Sequence, residues 1–130
     1  GLYMTALENV IVPMDIMHLK IKDKKKEALK LLNMLGIDNN TADRTVLKLS
    51  GGEQQRVAIA RSLVGDIEFL MADEPTGNLD EETEERIIKI FKDLVDKGKC
   101  VIVVTHSKKV AQNADVIYRI KGGDIYRESK

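Results

Sequence analysis

Two short apolar runs, Ile67–Ala72 and Cys100–Thr105, flank one long amphipathic segment, Glu81–Lys97. No other feature constrains the fold as much. A strand, a helix and a second strand in one sheet close as a right-handed parallel crossover. That connection puts the carboxyl ends of both strands on the same side, the edge where ligands gather in open α/β sheets. Here the edge receives Asp73-Glu74 from the first run and His106 from the second. The helix between them draws its apolar face from Ile87, Ile88, Ile90, Phe91, Leu94 and Val95. Its first turn carries Glu81, Glu82, Glu84 and Glu85, which suit the positive end of the helix dipole, and Gly98 stops it.

Upstream, the pattern is helical. Thr5 followed by Glu8 predicts a capping box and a short helix, and Pro13 argues against a long continuous helix through that point. From Asp23 to Leu35, Ala28, Leu31, Leu32 and Leu35 recur at helical spacing, with Lys24, Lys25, Lys26 and Lys30 free to face solvent. Gly36 ends that segment, and residues 38–43 read as a polar turn. Ser50 and Glu53 form a second capping box, opening a helix through Val57, Ala60, Leu63 and Val64 towards Gly65. Downstream, Lys108–Asn113 predicts a short helix, and Val116–Ile120, Gly122-Gly123 and Asp124–Arg127 predict a hairpin.

Composition narrows the function. Lys plus Arg number 21 and Asp plus Glu number 21, which argues against a dedicated nucleic-acid binder with its basic excess. No apolar run approaches the ~20 residues that span a bilayer. The single cysteine, Cys100, excludes an internal disulfide framework and a multi-cysteine metal site. It reads as a small buried residue of its strand, in a reducing, intracellular setting. His18 reads as an ordinary surface or packing residue. The chain begins with Gly1 and no secretory signal follows; the expectation is a truncated or processed piece.

Three groups can do chemistry. The Ser50-Gly51-Gly52 turn leaves first-turn amides uncovered at a helix start, a geometry suited to an anion. Asp73 and Glu74 end an apolar strand, where two adjacent acids are costly unless hydrated or paired with a cation. Asp73 can hold Mg²⁺ through water, and Glu74 can orient and activate a water. His106, at the end of the neighbouring strand, can donate to a phosphoryl oxygen.

Taken together, these residues resemble the ATP-binding-cassette (ABC) ATPases. Leu49-Ser50-Gly51-Gly52-Glu53-Gln54-Gln55-Arg56 resembles the family's signature motif. Phe69–Asp73 with Glu74 resembles its Walker B strand and catalytic glutamate. Gly77-Asn78-Leu79-Asp80 resembles the D-loop, and Thr105-His106 the switch histidine. Order and spacing agree as well. The resemblance implies an α/β fold: a partial P-loop NTPase (RecA-like) core with an α-helical signature subdomain. Residues 1–49 would form most of the helical subdomain, and residues 50–130 the signature helix and the C-terminal part of the core. Thr5–Val10 and the Gly77–Asp80 loop are most similar to the branch serving lipoprotein release, macrolide export and antimicrobial-peptide resistance.

The resemblance also implies a mechanism. Two ATPase subunits pack head to tail, and each ATP lies between the Walker A loop of one and the signature helix of the other. Ser50, Gly51, Gly52 and Glu53 would meet the partner's nucleotide, and Asp80 would couple the two sites. Asp73 would support Mg²⁺, Glu74 would act as base, and His106 would touch the γ-phosphate. A membrane permease would be the other partner, with the subunit cytoplasmic at the inner face of the membrane and no nucleic acid involved.

One departure is decisive. A phosphate-binding loop needs Gly-x-x-x-x-Gly-Lys followed by Ser or Thr. The sole Gly-Lys pair, Gly98-Lys99, is preceded five residues earlier by Asp93 and followed by Cys100. The family's adenine-stacking aromatic and Q-loop glutamine have no counterpart either. The isolated chain is therefore expected to bind ATP poorly and to be inactive. Alternative readings are a non-catalytic fragment or interaction module, and a soluble, non-transport ABC ATPase.

Overall fold

Thr5 opens the first helix as the sequence predicts. In this computed structural model, which describes residues 3–128 and so leaves Gly1 outside, the Thr5 hydroxyl accepts the Glu8 N–H at 3.0 Å and the Glu8 carboxylate takes the Thr5 N–H at 2.9 Å. The helix α1 spans Ala6–Ile16 and runs through Pro13. This corrects the expected interruption. Proline costs one helical hydrogen bond, but α1 buries Ala6, Val10 and Met14 against α2 (Lys24–Met34), and that packing carries the helix past the break. The polar stretch read as a turn winds into a four-residue helix, α3 (Asn39–Ala42), because the Asp38 carboxylate caps it by accepting the Thr41 N–H at 2.8 Å. A 3₁₀ turn at Val46–Lys48 leads into α4 (Gly51–Leu63), whose N-cap is Ser50.

The crossover follows. Strand β1 (Phe69–Asp73) pairs in parallel with β2 (Cys100–Val104), in a register that runs from Phe69 opposite Cys100 to Asp73 opposite Val104. The helix α5 (Glu81–Asp96) connects them. It buries Ile87, Ile88 and Phe91, whereas Val95, expected on the apolar face, sits at its exposed rim. After β2 come α6 (Lys108–Gln112) and an antiparallel hairpin, β3 (Ile117–Lys121) and β4 (Asp124–Glu128). Gly122 and Gly123 turn it with φ of 58° and 82°, the left-handed pair that a two-residue hairpin requires.

One core joins the helices to the sheet: Met14, Leu32, Leu35, Ile37, Ile59, Leu70, Ala72 and Ile87 all belong to it. The helix α4 packs on α1 and α2 and also on β1, while α5 packs on β2. Among the described residues, only one face of the β1–β2 sheet is covered. Leu70 and Ala72 point inward, whereas Phe69, Met71, Ile102 and Val104 are between 42% and 59% exposed. Cys100 lies on this open face and is exposed, which corrects its expected burial. Strand alternation puts it there, beside Ile102 and Val104. Among the described residues, no helix is long and apolar enough to cross a membrane.

Candidate functional site

The crossover sets Glu74 and His106 side by side. Immediately past β1, the Glu74 N–H donates to the Val104 carbonyl at 2.7 Å, extending the ladder by one bond. The chain then reverses, and Glu74 adopts φ of 47°. A branched or long side chain rarely occupies that left-handed region, and such strain concentrates at functional positions. The carboxylate swings towards the end of β2. Its Oε1 accepts the His106 backbone N–H at 2.8 Å and lies 3.7 Å from the imidazole Nε2. Its Oε2 receives the Thr105 hydroxyl at 3.4 Å. The His106 ring itself is fully open to solvent. Asp73, the last residue of β1, is exposed on the same strand end.

The loop leaving Glu74 is tightly built. Pro75 and Thr76 are buried, the Gly77 N–H reaches back to the Glu74 carbonyl, and Asn78 takes φ of 62°. Asp80 then caps α5 by accepting the Thr83 N–H at 3.3 Å. Hydrogen bonding from Thr83, its side chain foremost and its N–H after it, holds the Asp80 carboxyl below its ordinary range. On the other strand, Ser107 ties the turn to α5, its hydroxyl donating to the Glu84 carboxylate at 3.0 Å. Lys109 bonds Glu81 and Glu85 at 3.0 and 2.6 Å, and its ammonium is pushed up by Glu85 first and Glu81 second.

At the signature turn, the Ser50 Oγ accepts the Glu53 N–H at 3.1 Å, and the Glu53 carboxylate takes the Ser50 N–H at 2.9 Å. This reciprocal cap fixes the entry of α4 and leaves the Gly51 and Gly52 amides as the helix's unused donors. Gly51 is exposed, with nothing within 4 Å of where a Cβ would stand. A Cβ on Gly52 would lie 3.7 Å from the Gly77 carbonyl and 3.1 Å from Nη1 of Arg56. Signature turn and post-Glu74 loop therefore touch within one chain.

The structure thus brings Asp73, Glu74 and His106 to one sheet edge and Ser50, Gly51, Gly52 and Glu53 to one helix start. Among the described residues, no hydrogen bond or ion pair joins Ser50 to Asp73, Glu74 or His106. His18 is an exposed residue at φ of 53°, as its surface reading anticipates. Sequence reasoning reached Arg56 as the last residue of the signature motif but anticipated neither its burial, at 5% exposed, nor the Ser107–Glu84 bond. Nothing local signals either, since both depend on contacts between distant segments. A cleft of about 580 Å³ lies elsewhere, lined by Asn33, Asp38, Asn39, Asn40, Thr83 and Arg86.

A divalent metal finds no ready-made cage. Among the described residues, no three acidic, histidine or cysteine side chains converge. Mg²⁺ does not demand one: it keeps several waters and binds through one or two carboxylates plus substrate phosphates. The exposed Asp73 carboxylate beside Glu74 fits that mode.

The profile of the ABC transporter family matches residues 3–77. The chain belongs to the ABC transporter family. It is 48% identical over 124 residues to the ABC transporter ATP-binding protein YclH of Bacillus subtilis, covering 95% of this chain and 55% of that protein. It is 44% identical to the lipoprotein-releasing system ATP-binding protein LolD of Francisella tularensis, covering 93% and 53%. The chain thus spans about half the length of the curated relatives it matches. Among solved structures, it is similar to the dimeric post-hydrolysis state of the ATP-binding cassette MJ0796 bound to ADP and Pi, with a TM-score of 0.78 and 39% identity, covering 100% of this chain and 58% of that one. The fold is accordingly the α/β ATP-binding-cassette fold, a partial P-loop NTPase core with its helical signature subdomain.

Proposed function

We propose that this chain is the signature and Walker B part of the ATP-binding subunit of an ABC transporter, which in the intact protein hydrolyses ATP to drive a membrane permease. The observation that carries the reading is the Glu74 carboxylate, turned by a strained backbone onto the His106 amide at 2.8 Å, at the strand end that Asp73 shares. Glu74 retains lone pairs to receive a proton from an attacking water while His106 fixes its direction. The His106 ring, exposed beside it, donates to a γ-phosphoryl oxygen. Asp73 holds Mg²⁺, which when bound neutralises charge on the phosphoryl oxygens.

Ser50, Gly51, Gly52 and Glu53 serve a different nucleotide. The reciprocal Ser50–Glu53 cap holds the turn open, and the unused Gly51 and Gly52 amides suit the phosphate of a second subunit packed head to tail, a reading supported by the dimeric state of the similar MJ0796 cassette. Asp80, on the loop that touches Gly52, couples the two sites. Residues 1–49 act as most of the helical subdomain and 50–130 as signature helix and core. The subunit works on the cytoplasmic side of the membrane, against its permease. Similarity to lipoprotein-releasing and macrolide-export ATP-binding proteins supports placing it in that branch.

Residues 1–130 contain no Gly-x-x-x-x-Gly-Lys-Ser/Thr segment, so the phosphate-binding loop must come from outside them, and this chain alone is inactive. The test is Glu74→Gln in the intact protein. Removing a general base costs about 10²- to 10⁴-fold in turnover, and the variant should accumulate as an ATP-bound dimer in light scattering. Unchanged turnover would strip Glu74 of the role. Tight, Mg²⁺-dependent ATP binding by residues 1–130 in calorimetry would refute their predicted inactivity.

A further inference from the structure

Arg56 is the one residue whose buried side-chain nitrogens lack a hydrogen-bond partner among the described residues: Nε and Nη1 are both shut off from solvent and unpaired. A guanidinium in that position carries a desolvation cost. Burial pushes the guanidinium pKa down, and the nearby Glu53 charge offsets that only in part. Packing alone does not account for arginine here, since an apolar side chain of similar volume fills such a site at lower cost.

Its surroundings show what the group can do. Nη1 lies 3.1 Å from where a Gly52 Cβ would stand, and the Gly77 carbonyl lies 3.7 Å from the same point. Nε lies 4.0 Å from the corresponding point on Gly36, which Leu79 approaches to 3.7 Å. The guanidinium is therefore wedged between the signature turn, the end of α2 and the loop running from Gly77 to Asp80. Nη1 and the Gly77 carbonyl thus both approach Gly52, while Nε and the Leu79 side chain of the same loop both approach Gly36.

We propose that Arg56 is a positioning residue that clamps the signature turn to the 76–79 loop. As the nucleotide site assembles, Nε and Nη1 take main-chain carbonyls of that loop, Gly77 among them, so that the Gly51–Gly52 amides and Asp80 move as one body. Arg56 touches no nucleotide; it transmits the position of one half-site to the other. The inference rests on the proposed ATPase reading and deepens it.

The test compares Arg56→Met and Arg56→Lys with wild type in the intact protein. Arg56→Met keeps the bulk and removes both donors. Its thermal midpoint should match or exceed that of wild type, while kcat for ATP falls about tenfold or more, the size of one lost charge-assisted hydrogen bond, and KM stays within about twofold. Arg56→Lys, with charge but no fork, should fall between. Should Arg56→Met fail to fold, Arg56→Lys decides: a folded variant with wild-type kcat overturns the clamp, and so does a kcat loss that disappears once corrected for folded fraction. Amide hydrogen exchange over residues 76–83 reads the clamp without turnover. Faster exchange in either variant is expected, and exchange identical to wild type overturns the proposal. A wild-type protein that fails to hydrolyse MgATP instead brings down the ATPase reading, leaving the exchange comparison to judge Arg56.

Discussion

Gly36→Ala should destabilise the chain far more than Gly98→Ala, although both glycines end helices in the left-handed region, at φ of 79° and 85°. Backbone strain is common to the two: a Cβ in that region costs ~1–2 kcal/mol. The entropy lost by the unfolded chain on replacing glycine is also shared and cancels in the comparison. Space is what differs. At Gly98 nothing lies within 4 Å of the new methyl, whereas at Gly36 it would stand 2.8 Å from Cγ2 of Thr83, which is buried. Thr83 cannot swing aside freely, because its N–H bonds Asp80 and its hydroxyl accepts Arg86 at 3.2 Å. Overpacking of this kind adds ~1–3 kcal/mol. Gly36→Ala should therefore cost about 2–5 kcal/mol and Gly98→Ala about 1–2 kcal/mol, read as urea midpoints in equilibrium unfolding. Thr83→Ser removes Cγ2 and keeps the hydroxyl, so in the double variant it should recover at least ~1 kcal/mol as a coupling energy. Equal costs at the two glycines, or no coupling to Thr83→Ser, would refute the collision.

Ser50→Ala should lower stability by ~1 kcal/mol through loss of the cap on α4; an unchanged urea midpoint would mean that the Ser50–Glu53 bonds contribute nothing. Acid should weaken the fold, because Asp38 and Asp80 are held below their ordinary range by hydrogen bonds from Thr41 and Thr83. Their contribution is complete above the unfolded carboxylate value of ~4 and disappears as pH falls through the lowered folded values. Lys99 and Lys109 are raised by Asp66 and Glu85; their contribution is complete below ~10.4 and is lost as pH climbs through the raised values. A urea midpoint that holds steady from pH 7 down to pH 2 would contradict the acid arm. Finally, the open sheet face should drive residues 1–130 to self-associate; light scattering from a monomer at high concentration would count against it.

Both strands of the crossover, the helices α2, α4 and α5 and both capping boxes are legible in the sequence because each is encoded locally. Ser50 and Glu53 need only each other, and Ile87, Ile88 and Phe91 announce a face by spacing alone. What escaped is set by contacts between distant segments. Pro13 lies inside α1 because α1 packs on α2, Cys100 is exposed because the sheet face it shares is uncovered, and Arg56 is buried because the signature turn, the end of α2 and the 77–80 loop converge on it. The site divides the same way. Strand order alone places Glu74 and His106 on one edge, but the left-handed turn that aims Glu74 at the His106 amide has no signature in its residue type, since glutamate seldom adopts it.

The exposed apolar face of the sheet adjoins the site. Along β1, Phe69, Met71 and Asp73 alternate onto the open face, while Leu70 and Ala72 face the core. Parallel strands are ordinarily covered on both faces, and they read as near-continuous apolar runs for that reason; Phe-Leu-Met-Ala here and Cys-Val-Ile-Val-Val in β2 read that way. Whatever segment packs on Phe69, Met71, Ile102 and Val104 therefore comes to rest beside the Asp73 carboxylate. A phosphate-binding loop carried on such a segment would arrive next to Asp73 as it covered the apolar face. Burial of that face would then supply the driving force for assembling the site, and no separate interaction would be needed to bring phosphate donors to the acids. A second copy of this chain packed on the same face would bury the apolar surface equally well yet bring no such loop. Self-associated 1–130 should accordingly be better protected from unfolding than the monomer and still hydrolyse no ATP.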